Sequence, residues 1–236
     1  MLEKLTEGGL SIGAHHAQVE FFCAYRIDDG FTQRKSKQPV VIAMLGLVGS
    51  GKSSVANELA PLIGATVVNA DVIRVFLRKN SEPYKYVRQI AENAAVVILA
   101  RGGNVVLDSD MADEKKRVSL RLKVLKAGAR LFFIRTSADP HVMLGRMVTA
   151  PYDEFFGGAK TNWKDGTPEQ TSAVIKIGEA LRRIPHHYKW VNEGGGKWVL
   201  KKRRFMSLLA DIDTTEPKKW KVKVAQIARE ITLGIV

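Results

Sequence analysis

The sequence holds a single cysteine, Cys23, so no disulfide can form within the chain. No histidine or asparagine motif frames that thiol, and it reads as a small core residue rather than a nucleophile. Nor is there an unbroken apolar run of about eighteen residues, which excludes a membrane-crossing helix. The opening "MLEKLTEGGL" lacks the basic-then-apolar order of a secretory signal, so a cytoplasmic protein with no membrane partner is expected. No zinc knuckle or RNP-type aromatic signature is present. The histidine pairs His15-His16 and His186-His187 are adjacent; neighbours on a helix point about 100° apart and make a poor metal clamp.

The 236 residues are 45% hydrophobic and 26% charged, enough to bury the core of one α/β domain. The net charge of +13 is unevenly placed. Residues 1–38 carry five basic and five acidic side chains, whereas residues 197–223 carry nine basic against three acidic. A basic stretch of this kind attracts a polyanion, either nucleic acid or a multiply phosphorylated substrate. A charge run alone is more often a solvated face.

Apolar runs alternate with amphipathic ones. The segments 40–46, 65–70, 103–110, 129–136 and 205–213 read as short, nearly continuous buried strands, the form of parallel strands covered on both faces. Helices are predicted over 52–62, 71–79, 84–101, 112–127, 138–148, 168–187 and 217–233. Asp139-Pro140 supplies an N-cap with proline at the first helical position. Thr167-Pro168-Glu169-Gln170 has capping-box spacing, and Gly102-Gly103 and Gly128 supply stops. The alternation implies an α/β fold, a doubly wound parallel sheet of five strands with helices on both faces. Residues 1–38 form an N-terminal extension of unassigned role, in which "AQVEFFCAYRI" suits an extra strand or a packing arm. Residues 39–236 form the main domain. Its aperiodic stretch 149–167 suggests a lid or substrate insertion near 149–200, and Trp-Val on both sides of "NEGGGK" suggests a projecting hairpin.

Gly46-x-x-x-x-Gly51-Lys52-Ser53 satisfies the phosphate-loop pattern in full, with a strand before it and a helix after it. Glycines let the backbone curl around a polyphosphate and aim N–H groups inward, and the helix start adds positive potential. The expected nucleotide contacts are Gly46, Val48, Gly49, Ser50, Gly51, Lys52, Ser53 and Ser54. Lys52 would neutralise the β and γ oxygens of ATP, and the Ser53 hydroxyl would join the shell of Mg²⁺. A carboxylate at a strand end should assist the metal. Asp108 is the candidate and Asp110 its competitor, although Asp110 also suits an N-cap for the helix beginning near Ala112.

The second strand ends "VVNADVIR". Asp71 and Arg74 lie one turn apart on the same side of a helix start. Alone, such a pair is an N-cap with a surface ion pair. Directly after the second strand of a phosphate-loop domain, a chemical role is the stronger reading: a carboxylate to accept a hydroxyl proton and an arginine to grip the acceptor.

In the order "GLVGSGKSS", "NADVIR", "NVVLDSD", "EKKR" and "LFFIRTSADPHVMLGRM", residues 40–150 resemble the P-loop kinases related to polynucleotide 5′-hydroxyl kinases and zeta toxins. "DIDTTEPKKW" echoes them more weakly. The resemblance implies a three-layer, nucleoside-kinase-like P-loop NTPase fold and ATP-dependent transfer to a hydroxyl of a small-molecule, nucleotide or polynucleotide acceptor. It further implies Asp71 as base, Arg74 as an acceptor contact and Arg146 on the transferring phosphate; Arg182 and Arg183 are further arginine candidates. "DSDMAD" departs from the asparagine or threonine that such kinases commonly carry after the strand-end aspartate. The opening stretch is also similar to dephospho-coenzyme A kinases, but the His-Pro and "PLLFE"-like segments of that group are missing. A polynucleotide kinase using 197–223 as a track, and a P-loop NTPase switch without an acceptor, are the remaining alternatives.

Overall fold

The computed structural model describes residues 9–25, 27, 38–150, 159–160, 170–171, 173–193 and 196–235. Five strands form one parallel sheet: β1 (Val40–Leu45), β2 (Ala65–Asn69), β3 (Asn104–Asp108), β4 (Arg130–Ser137) and β9 (Leu208–Asp213). Their spatial order is β2-β3-β1-β4-β9. The chain leaves β1 toward β2 on one side, and after β3 it crosses to β4 on the other. The carboxyl end of β1 is therefore the point where the winding reverses, and a crevice opens there.

All six residues of β1 are buried. Val41, Ala43 and Leu45 face one layer, built from α1 (Ile12–Ala24), α3 (Ala70–Lys79), α4 (Val87–Ala100) and α5 (Glu114–Lys126). Val40, Ile42 and Met44 face the other, built from α2 (Lys52–Leu62) and α8 (Pro217–Thr232). This is the three-layer arrangement that continuous apolar strands require.

The expected helix ends are largely where the capping chemistry puts them. Asp139 accepts from the amides of His141 and Val142 and starts α6 (Pro140–Val148). The α4 helix closes at Arg101 and Gly102, but residues 84–86 form a separate 3₁₀ turn ahead of it. The N-cap of α5 is Asp113, because Asp110 is engaged elsewhere.

Four expectations are corrected. The segment suited to a strand is the helix α1, since Ala14, Ala17, Gln18, Phe21 and Phe22 make one buried stripe of helical spacing. Its β-favouring composition concealed that period. Cys23 falls one step beyond the stripe and is exposed, not core. The helix predicted from residue 168 begins at Ala173, as α7 (Ala173–His187), because Gln170 and Thr171 instead pair with β5 (Ala159–Lys160) as β6 (Gln170–Thr171). The capping-box residues 167–169 and most of the aperiodic stretch lie outside the described residues. The last sheet strand starts at Leu208 rather than at residue 205, after Phe205 turns the chain with a φ of 56°.

The anticipated hairpin is present as β7 (Tyr188–Val191) and β8 (Lys197–Leu200), with Trp190 opposite Trp198 at a ring separation of 5.0 Å. The basic residues of 197–223 are spread over β8, the following loop and α8. Several are engaged: Lys219 with Glu216, Lys221 with Glu58, and Lys223 with the Asp211 carbonyl. No described helix is long and apolar enough to cross a membrane.

Candidate active site

The loop between β1 and α2 closes over the carboxyl edge of the sheet. Gly46 has φ 148°, and a Cβ there would stand 2.6 Å from the Thr136 carbonyl oxygen. Gly51 has φ 85° and faces the Thr214 side chain so closely that a Cβ would meet its Oγ1 at 2.7 Å. The motif glycines are thus required by a left-handed backbone and by close packing together. Gly51 also serves as N-cap of α2 without a side-chain cap, which leaves the first amides of that helix for an anion.

Gly46, Val48, Gly49, Gly51, Lys52, Ser53 and Ser54 line a cleft of 940 Å³. Ser50 is the exception among the expected nucleotide contacts. Its hydroxyl is buried on the far side of the loop, 2.7 Å from Thr136 Oγ1, and its amide donates to the Leu47 carbonyl. The loop needs an internal tie where it doubles back, and Ser50 makes it.

Lys52 Nζ donates to the carbonyls of Gly46 and Leu47 at 2.9 and 3.0 Å. Burial pulls the Lys52 ammonium below the ordinary lysine range; Asp110 and Asp108 pull it back up, while Arg183 and Arg74 oppose them. Five charged groups from five elements or loops therefore act on one small space. Asp108 ends β3 and is 6% exposed. Burial raises its carboxyl, partly offset by a hydrogen bond from Ser53 and by the charge of Lys52. A buried carboxylate short of positive charge, with a serine hydroxyl on it, is a pair of hard oxygen donors that fits Mg²⁺, which keeps most of its shell for water and phosphate. Among the described residues no group of three His, Cys, Asp or Glu side chains forms a full protein cage.

Asp71 and Arg74 line the same cleft and pair with each other in the first turn of α3. Asn69 sets that turn. Its Oδ1 accepts from the amides of Asp71 and Val72, and its Nδ2 donates to Asp108 Oδ2 at 2.8 Å. Sequence reasoning did not single Asn69 out, although an asparagine before a helix is a capping signal. Its pairing opposite Asp108 comes from the register of β2 on β3.

Asp110 lines the cleft as well, with both carboxylate oxygens engaged. Its Oδ1 accepts from the Ala112 amide and the Tyr188 hydroxyl, and its Oδ2 receives Arg183 Nη1 at 2.5 Å. Arg183, charged more firmly by Asp110 and Glu179 despite its burial, is thereby fixed over the cleft. Arg182 pairs with Glu179. Arg146 is held differently: Nη1 donates to the Gly49 carbonyl and Thr214 Oγ1 at 3.0 and 2.9 Å, and Nη2 to the Thr214 carbonyl at 2.7 Å. It lines the same cleft, as do Pro217 and Trp220. Arg117 is fully buried, and donates to the carbonyls of Met111, Ala112, Lys202 and Arg204. It is a structural clamp between α5 and the loop after β8.

The architecture decides the fold. This is a P-loop NTPase fold. Three solved structures share it at 14–16% identity: a candidate kinase from Chloroflexus aurantiacus (16%, TM-score 0.52, 82% of this chain and 98% of that one), the protein APE1195 (16%, 0.53, 84% and 99%), and Kti12 of Chaetomium thermophilum in complex with ADP-AlF3 (14%, 0.50, 79% and 95%). A family model described as "AAA domain" matches residues 41–149 of this P-loop chain. No curated protein matches it in sequence.

Proposed function

We propose that the chain is an ATP-dependent phosphotransferase that moves the γ-phosphoryl group to a hydroxyl of a small acceptor. The observation that carries this reading is the continuity of the cleft: one cavity is lined both by the phosphate loop and by Asp71 and Arg74. A site built only to hold a nucleotide does not need a carboxylate and an arginine on the side where the γ-phosphate emerges.

The loop amides and the start of α2 would bind the phosphates, with Lys52 leaving its two carbonyl partners for the β and γ oxygens. Ser53 and Asp108 would hold Mg²⁺, whose charge offsets that of the phosphates when bound. Asp71 accepts the acceptor's proton as its oxygen bonds to phosphorus and the bond to the β-bridging oxygen breaks. Arg74 orients the acceptor. Arg183 is the arginine we assign to the transferring group: although Asp110 and Glu179 hold it, it lines the cleft together with Arg74, whereas Arg146 is tied to the phosphate loop itself through Gly49. Arg146, with Pro217 and Trp220, would then shape the end of the cleft that takes the nucleobase. Positioning and charge neutralisation supply most of the rate in such transfers.

Labelled ATP offered with a panel of hydroxyl compounds tests the reading. Transfer that is lost in Asp71→Asn supports it. Hydrolysis of ATP to the same extent with and without every compound, unchanged in Asp71→Asn, points to a nucleotide switch instead.

A further inference from the structure

The acceptor half of the cleft holds more positive charge than the transfer step uses. Arg74, Lys85, Arg88, Lys116, Arg182 and Arg183 all line it. Its carboxylates are largely committed: Asp71 to Arg74, Asp110 to Arg183, and Glu179 to Arg182 and Arg183. Arg183 opposes two of these cations. Burial and then Arg183 lower both Lys116 and Arg74 from their ordinary values. Like charges gathered in a partly desolvated crevice cost stability until an anion joins them.

Glu92 gives a second, independent sign. It lines the cleft from α4 and is 2% exposed. Its Oε2 is taken by the Ser119 hydroxyl at 2.9 Å and Lys123 at 2.7 Å. Its Oε1 is buried without a hydrogen-bond partner, the Arg88 Nε being 3.9 Å away. A buried carboxylate oxygen with only this long ion pair and no hydrogen bond costs free energy that a ligand O–H or N–H donor would recover. Lys116 and Ser119 are three residues apart on α5, so Lys116 stands one turn from the point where α5 touches Glu92. Arg88 and Glu92 are four apart on α4. Two cations and one unsatisfied acceptor therefore converge between these helices.

Resting on the phosphotransferase reading, we propose that the acceptor carries a tetrahedral oxyanion, a phosphate or sulfate ester, gripped by Arg88 and Lys116, and a hydroxyl or amine that donates to Glu92. A flat carboxylate is satisfied by one guanidinium fork. A tetrahedral anion presents oxygens in several directions and suits separate cations arriving from α4 and α5.

The test uses the full chain with its phosphate loop filled by Mg²⁺ and the non-hydrolysable analogue AMPPNP. Inorganic phosphate and inorganic sulfate are titrated against chloride at constant ionic strength, and the melting temperature is followed. Wild type should respond to at least one of the two; the double variant Arg88→Met, Lys116→Met should bind it about tenfold more weakly or worse. Lys116→Arg, which keeps the charge, should respond as wild type does. A stronger response to phosphate assigns the phosphate ester, and a stronger response to sulfate the sulfate ester. Equal responses from wild type and the double variant overturn the proposal. The same titration on Lys52→Ala separates any anion held at the phosphate loop. Failure of the phosphotransferase reading is distinct: the anion response persists, yet no hydroxyl compound is phosphorylated.

Discussion

Asn69 joins the two halves of the cleft: one side-chain oxygen caps the helix that carries Asp71, and the amide nitrogen of the same side chain holds Asp108. Replacing it separates the two duties. Asn69→Asp keeps the cap but sets a second negative charge against Asp108, whereas Asn69→Ala removes all three bonds. Asn69→Ala should lose about 1 kcal/mol of stability, read from denaturant midpoints. Asn69→Asp should keep most of the stability but lose about tenfold or more in turnover, as removal of groups that orient a metal ligand commonly does. Equal activity in wild type and Asn69→Asp would remove the link.

Burial raises the Asp108 carboxyl despite Ser53 and Lys52, so its negative charge costs the fold when no cation is bound. Asp108→Asn should therefore stabilise the nucleotide-free protein by on the order of 1 kcal/mol, read as a higher melting temperature. The same variant should lose the extra stabilisation that Mg²⁺ adds to ATP. Thermal melts with ATP, in Mg²⁺ and in a chelator, measure both effects.

The two arginines should differ in kind. Arg183→Ala should lower kcat about 10³-fold while leaving the KM for ATP nearly unchanged. Arg146→Ala should raise the KM for ATP, because it frees Gly49 and Thr214 beside the proposed nucleobase end. The reverse pattern would return the transferring phosphate to Arg146.

Tyr188 gives a dependence on pH. Burial first, and then Asp110, raise its hydroxyl well above the ordinary 10.0. The folded state thus keeps a proton that the unfolded state releases. The stabilisation from this hydroxyl is fully present below pH 10.0 and is lost as pH rises beyond it. Tyr188→Phe should be about 1 kcal/mol less stable than wild type near neutrality, and the gap should close in alkali. Denaturant titrations on either side of pH 10.0 decide it.

Arg117 holds four backbone carbonyls with no carboxylate in direct contact. Arg117→Leu strands those acceptors and should cost about 3 kcal/mol or more. Arg117→Lys should recover little, because an ammonium cannot reproduce the fork. Hydrogen exchange should show faster opening of the loop at 201–206 in both variants.

The phosphate loop, the five strands and the position of Asp71 were legible because each depends on local pattern: an apolar run, a glycine spacing, a carboxylate at a strand tip. Glu92, Lys116 and Asn69 were not, since their meaning comes from register between β2 and β3 and from α4 facing α5. Helix α1 was obscured because the adjacent aromatics Phe21 and Phe22, which it buries at helical spacing, suit a strand equally well. The engagement of Asp110 likewise needed the return of the chain, seventy-odd residues later, to bring Arg183 and Tyr188 to it.

That return has an evolutionary corollary. An arginine of α7 and a hairpin tyrosine meet at one knot just past the tip of β3, and this moors the described part of the chain between α6 and β9. Exposed residues of α7 away from that contact can change at small cost to the scaffold, provided that mooring survives. New acceptor preferences can then be sampled while the triphosphate machinery stays as it is.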